Sequence, residues 1–436
     1  MVKKMVAVVK RILAKLGNTG FFHVFGSTAI NKIIGFASGI VLVRLISKAE
    51  YGVFSYAYNL LTFFMIACGF GAASGVLQMC SEQRGEEEKK QLYAYASKSS
   101  FYINLALSVV IILVSFAIPL KIEGANLCLG MMAFLPIFSY AYEMQAIRLR
   151  TQRRNQEFSY SNSFSTLIIF LLSCILSYFY QVEGLIAAKY LAFLISSAFV
   201  IWRCRLGYPI ALKTSLASEV KKQFWGISVI SMLNNGLSSM MNILGIFVLG
   251  IVIPDSTVIA SYKLATNIPT ALAFIPAAFV TYIYPYFALH REEKAWVKKK
   301  YMLVAGALAL LCSTIALVMF VFAPFIIKLL FGEIYLDAVP SFRVLCISFV
   351  VAAVFRTLPG SILVTQRRLK FNLLTAATSS VLNIVLNVIF ITRWQSIGAA
   401  YATLLTVIIT GILDTGYLAY ILNHLATKPM DNKGEL

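Results

Sequence analysis

Apolar residues in this chain gather into runs of about twenty, and no other feature restricts its fold so tightly. Twenty residues of helix rise about 30 Å, the depth of a bilayer's hydrocarbon. The runs fall near 20–46, 52–79, 99–120, 125–146, 160–180, 184–203, 224–253, 257–288, 301–326, 342–365, 371–392 and 396–422, twelve in all. Hydrocarbon offers backbone amides no partner, so each run has to be helical, and short alternating barrel strands would read differently. The sequence therefore predicts an all-α integral membrane protein with twelve transmembrane helices. Composition agrees: 59% of the 436 residues are hydrophobic and 13% charged, against roughly half and a quarter in soluble domains.

A net charge of +20 raises nucleic acid as a partner, until the charges are sorted by loop. Lys3, Lys4, Lys10, Arg11 and Lys15 precede the first run, and Arg84, Lys89, Arg148, Arg150, Arg153, Arg154, Arg203 and Arg205 follow in alternate loops. The opposite side holds only Lys48, Lys121, Lys328, Arg343 and Arg393. That is the positive-inside bias, and it places both termini in the cytoplasm. The excess reports topology and contact with anionic lipid, not nucleic acid. Residues 1–19 space Val2, Val6, Val9, Leu13 and Leu16 as one apolar face, an amphipathic cytoplasmic segment lying on the membrane. Seven cysteines and three histidines are too scattered for a disulfide framework or a metal centre, and no cofactor motif appears.

The hydrophilic stretch at 203–223 divides the runs six and six. Gly52, Phe54, Ala57 and Asn59 align with Ala260, Tyr262, Ala265 and Asn267 at a constant offset of 208. Halves with an even number of spans enter from the same side, so they form a parallel repeat. Two six-helix lobes related by a pseudo-two-fold along the membrane normal are predicted. The organisation reads as an N-lobe at 20–203, an inter-lobe linker at 204–223, a C-lobe at 224–422 and a cytoplasmic tail at 423–436.

Five basic residues remain inside the runs: Lys32, Arg44, Lys189, Lys263 and Arg356. A Lys or Arg at the centre of a span costs about 2.5 to 3.5 kcal/mol on insertion scales, so each is a candidate functional residue. Lys32 is near the midplane beside Asn31, and helix 7 carries Asn234 and Asn235 at the corresponding depth. Arg44, Lys189 and Lys263 are close enough to span ends to snorkel instead. The membrane acids Glu143, Glu183 and Asp414 are fewer, so the interior surplus is positive and suits a phosphate or pyrophosphate. Asp414 reads either as the partner of a buried cation or as a titrating coupling group, and Glu143 as a boundary residue or a second coupling candidate. Pro269, Pro276 and Pro285 in helix 8 and Pro359–Gly360 in helix 10 mark breaks.

Four stretches carry a resemblance. Arg44-Leu-Ile-Ser47-Lys-Ala-Glu50-Tyr51-Gly52 follows helix 1, and Tyr262-x-x-Ala265 with Pro276 and Pro285 marks helix 8. Leu329-Leu-Phe-Gly332-x-x-Tyr335-x-x-Ala338 follows helix 9, and Asn383, Asn387 and Gly398-Ala-Ala-Tyr-Ala-Thr403 close the chain. Together they resemble polysaccharide flippases of the Wzx type, within the multidrug/oligosaccharidyl-lipid/polysaccharide exporter superfamily. The resemblance implies a multi-pass protein of the bacterial cytoplasmic membrane. It would pass an undecaprenyl-pyrophosphate-linked oligosaccharide to the outer leaflet by alternating access, with H+ or Na+ as coupling ion. Lys32, Lys263, Arg356, Lys189, Arg44, Asn31 and Asn235 are the expected substrate-binding set. A drug or cation exporter of the same superfamily is the alternative, although the acidic first-lobe site usual in that branch is missing. A membrane saccharide polymerase or ligase would need larger outer loops than these, so no enzymatic activity is expected.

Overall fold

The computed structural model describes residues 21–82, 84–206, 216–366 and 368–424. The amphipathic segment expected at 1–19, nine residues of the expected linker and most of the expected tail lie outside the described residues. The chain divides into two compact units, residues 1–236 and 237–436. Eight described helices are long and apolar enough to cross a membrane, or nine if one bent pair counts as a span.

In the first unit, α1 covers Phe21–Leu45 and α2 covers Lys48–Ile66. The junction explains one stretch of the resemblance. Ser47 caps α2, its Oγ accepting the Glu50 N–H at 3.3 Å. Ser and Glu at this spacing satisfy orphan amides of the first turn.

After α2 the backbone breaks at Cys68–Gly71, where Gly69, Phe70 and Gly71 all take positive φ, before α3 (Ala72–Met79) resumes. Two glycines make this left-handed turn cheap, and Phe70 is held there against its preference. The turn is pinned by α4 (Glu86–Ala117): the Gly69 N–H donates to Asn104 Oδ1 at 2.7 Å. A Cβ on Gly69 would collide with the Tyr140 ring. Next, α5 (Ala125–Met131) and α6 (Leu135–Thr151) meet at 42°. Tyr190 closes that break, its hydroxyl accepting the Phe134 N–H at 3.2 Å and donating to the Met131 carbonyl at 2.8 Å.

Helix α7, Asn155–Cys204, is a hairpin of two arms that reverses at Tyr180 and Gln181, the latter at φ 48° and ψ −125°. Phe164 and Phe199 stack across the arms with centroids 4.1 Å apart. Each arm buries mostly small residues at multiples of four: Ser161, Ser165, Ser173 and Ser177 on one, Ala188, Ala192, Ser196, Val200 and Cys204 on the other. With little bulk in the seam the two backbones approach closely, which is how membrane helices gain packing energy.

Helix α8 (Ser218–Val252) begins in the first unit and ends in the second. In the second unit α9 (Ser256–Leu272) and α10 (Phe274–Leu289) form a broken element, with Asp255 capping α9 by accepting the Thr257 N–H at 2.8 Å. Pro269 lies inside α9 and Pro285 inside α10, so the break at Ala273 falls between the expected helix-8 prolines. Then follow α11 (Lys294–Val321) and α12 (Ala323–Phe331).

The resembling stretch after α12 is structural too. Gly332 sits at φ 101° and ψ 169°, a conformation reserved for glycine, and turns the fully buried Tyr335 inward. Helix α13 (Val339–Val351) widens into a π-helical turn at Ala352–Thr357 and continues as α14 (Leu358–Thr365). The break expected at Pro359–Gly360 therefore begins about two turns earlier.

Helix α15, Leu369–His424, is a second hairpin, reversing at Gln395 with φ 51° and ψ −130°. Its seam is polar where that of α7 is small. Thr375, Ser379, Asn383 and Asn387 face Asp414, Thr410, Thr406 and Ala402, and all eight are buried. The register is fixed by Asn383 Nδ2 donating to Thr406 Oγ1 at 3.3 Å and by Phe371 stacked on Tyr417 at 3.8 Å.

Candidate functional site

In the first unit the predicted residues separate by environment. Lys32 lies midway along α1, exposed, with no ion-pair or hydrogen-bond partner among the described residues. Beside it, both polar side-chain atoms of Asn31 are buried and unpartnered. A buried amide left unsatisfied costs about 1–3 kcal/mol, so this pair is a polar group awaiting a partner. Arg44 is exposed at the last turn of α1, and Asn235 is exposed on α8. Glu143 is exposed on α6.

Lys189 behaves differently. It does not reach toward a span end: its Nζ lies 4.6 Å from the Tyr58 ring centroid and 5.9 Å from that of Phe54. Those two rings stack on each other at 5.5 Å. A cation over two aromatic faces is stabilised by about 0.5–2 kcal/mol without a counter-ion. Lys189 is therefore already engaged, and a ligand would have to draw it off the rings.

In the second unit Lys263 is half-buried on α9 and has no partner among the described residues. Its neighbour Ser261 is spoken for, donating to Asp337 Oδ2 at 2.7 Å. Arg356 occupies the π-helical turn, and its charge interacts with Asp414. Asp414 is buried and its Oδ1 has no hydrogen-bond partner among the described residues. Arg356 and Asp414 are near enough for their charges to interact, but no salt bridge joins them among the described residues.

Sequence reasoning missed two features. The Asn104–Gly69 bond holds the α2–α3 break open, and the Gly-Phe-Gly run at 69–71 is its legible sign. The polar seam of α15 was also missed, although its Thr, Ser and Asn residues repeat every four positions.

The fold is that of transporters of the MOP superfamily. An inward-facing multidrug resistance MATE family transporter of that superfamily superposes with a TM-score of 0.74 at 16% identity, covering 91% of this chain and 95% of that one. The lipid II flippase MurJ, in an inward closed conformation, gives 0.68 at 16% identity over 92% and 87%. A MOP superfamily transporter from Pyrococcus furiosus, described as having a binding pocket of reverse polarity, gives 0.58 at 13% identity over 93% and 95%. No curated protein matches the chain by sequence. A family model described as polysaccharide biosynthesis protein matches residues 41–340, and the chain belongs to that family.

Proposed function

We propose that this protein is a flippase that carries an undecaprenyl-pyrophosphate-linked oligosaccharide from the inner to the outer leaflet by alternating access. The family places the chain in polysaccharide biosynthesis, and the fold is one used by transporters. One observation supports the choice of cargo: among the described residues, Lys32 and Lys263 are membrane-embedded cations without counter-ions, and Asn31 beside Lys32 has an unmet amide. Cations kept unpaired at this cost await an anion, and a pyrophosphate supplies one. Arg356, Lys189, Arg44 and Asn235 complete the proposed binding set, and Asp414 and Glu143 are the coupling candidates for H+ or Na+.

Counting each arm of α7 and α15 as a pass and adding α8 brings the nine helices to twelve. With basic loops inside, both termini are cytoplasmic. The two hairpins supply a second position at which the units correspond, in support of a parallel repeat, and a bacterial cytoplasmic membrane is the setting. The drug-exporter reading is favoured only by the MATE likeness. Against it stands Lys32 in the first span, which would repel a cationic drug.

The test is translocation of a lipid-linked oligosaccharide in proteoliposomes by Lys32→Gln/Lys263→Gln. Flipping is expected to be lost while insertion and monodispersity are kept. Wild-type flipping by the double variant would overturn the assignment, and export of cationic dyes by the native protein would favour the alternative.

A further inference from the structure

The first unit contains a groove of about 270 Å³ between α4, α6 and the second arm of α7. Phe101, Phe138, Phe193 and Ile201 supply its apolar wall, and Ala141 its narrowest side chain. Gln145 also lines it, yet that side chain is only 2% exposed and its Oε1 has no hydrogen-bond partner among the described residues. A buried acceptor in an apolar groove is costly unless a ligand donates to it.

Charge at one end narrows the ligand. Lys98 precedes Phe101 by one turn on α4, and Arg205 follows Ile201 by one turn at the end of α7. These helices run in opposite directions, so both cations fall at the same end of the groove, and both are exposed. Arg148, one turn beyond Gln145 on α6, is at that end too, but its guanidinium already lies 4.8 Å from the Tyr93 ring centroid.

An apolar slot, a buried acceptor left unsatisfied and two cations with no partner among the described residues at its mouth match one chemistry. We infer that this groove binds an anionic glycerophospholipid bearing a headgroup hydroxyl, with an acyl chain along the phenylalanines. The phosphate meets Lys98 and Arg205, and the hydroxyl donates to Gln145. The site depends on the chain being embedded in a membrane and is independent of what it transports.

Native mass spectrometry of the full chain from vesicles of phosphatidylglycerol, phosphatidylmethanol or phosphatidylcholine tests this. One phosphatidylglycerol should survive detergent washing that strips phosphatidylcholine. Phosphatidylmethanol, which keeps the charge and lacks the hydroxyl, should be retained less. Ala141→Phe fills the groove and should abolish retention; Ser197→Phe blocks it from another helix should the first variant lose monodispersity. Lys98→Gln and Arg205→Gln should each lower retention about fivefold, the effect of one cation near anionic lipid. Gln145→Leu, which preserves volume, should bring phosphatidylglycerol down to the level of phosphatidylmethanol. Equal retention of phosphatidylcholine, or undiminished retention in the groove-filling variants, would overturn the site.

Discussion

Gln181 and Gln395 share one backbone conformation, φ 48° with ψ −125° and φ 51° with ψ −130°, and each turns a helical hairpin. Three residues on, Gly184 and Gly398 pack against the carbonyls of Leu176 and Phe390, so closely that a Cβ at either would overlap the oxygen. The two units thus repeat a corner in which glycine is required at one position and glutamine is strained at another.

Strain of this kind costs about 1–3 kcal/mol, and glycine adopts positive φ freely. Gln181→Gly and Gln395→Gly should each raise the midpoint of thermal unfolding in detergent, by the equivalent of about 1 kcal/mol. Gly184→Ala and Gly398→Ala should lower it by more. A fall in stability on introducing glycine would mean that the glutamine side chains secure the corners.

Much of this fold was legible in the sequence because hydrocarbon enforces length and polarity so strictly. The apolar runs located α1, α4 and α11, and the offset of 208 between Asn59 and Asn267 paired the starts of α2 and α9. At the corners the offset is 214, so six residues have been added between the two matches in the second unit, and one fixed offset cannot find both. The resembling stretches at Ser47, Gly332 and Gly398 were visible, but their physical role is to cap, turn and pack helices. Substrate recognition was less legible. Lys189 gave no linear sign that Phe54 and Tyr58 would engage it, because that contact joins helices more than a hundred residues apart.

The polar seam of α15 makes unequal demands on its asparagines. Asn383 donates to Thr406 and accepts from Asn387 Nδ2 at 2.8 Å, whereas Asn387 leaves its own Oδ1 unpartnered. Hydrogen bonds between membrane helices are worth about 0.6–2 kcal/mol. Asn383→Leu should therefore destabilise by about 1–2 kcal/mol. Asn387→Leu should cost less, because it also removes an orphaned acceptor. Thermal unfolding of the two variants in the same detergent checks the order.

At the start of α7, Arg154 forms an ion pair with Glu157, and its Nη2 also donates to the Cys204 carbonyl at 3.0 Å. The hydrogen bond from Arg154 holds the Glu157 carboxyl below its ordinary pKa. A depressed carboxylate contributes stability that is present above the unfolded value near 4.3 and is lost as pH falls through the folded value. The pair is a third exposed, so solvent screening limits it to about 0.5 kcal/mol. Glu157→Gln should lower stability by that amount at pH 7 and match wild type only once the pH is well below the folded value of the Glu157 carboxyl. A pH-independent difference would assign the effect to packing.

Asp414 and Arg356 offer the sharpest division between a structural and a coupling role. Asp414 is buried and closes the α15 seam, while Arg356 sits in the π-helical turn, a conformation often found at functional sites. Removing one member of a buried ion pair costs about 3–5 kcal/mol; these two charges interact without a salt bridge and Arg356 is half-buried, so a structural role here is worth less. If the interaction is structural, Asp414→Ala should lose about 1–2 kcal/mol, the double variant with Arg356→Ala should recover part of it, and Asp414→Asn should keep transport at every pH tested. A coupling carboxylate would behave oppositely: Asp414→Asn would fold normally, yet its transport would no longer respond to a proton or sodium gradient. Unfolding midpoints and gradient-driven flux on the same three variants separate the two, since stability reads the pair and flux reads the proton or ion.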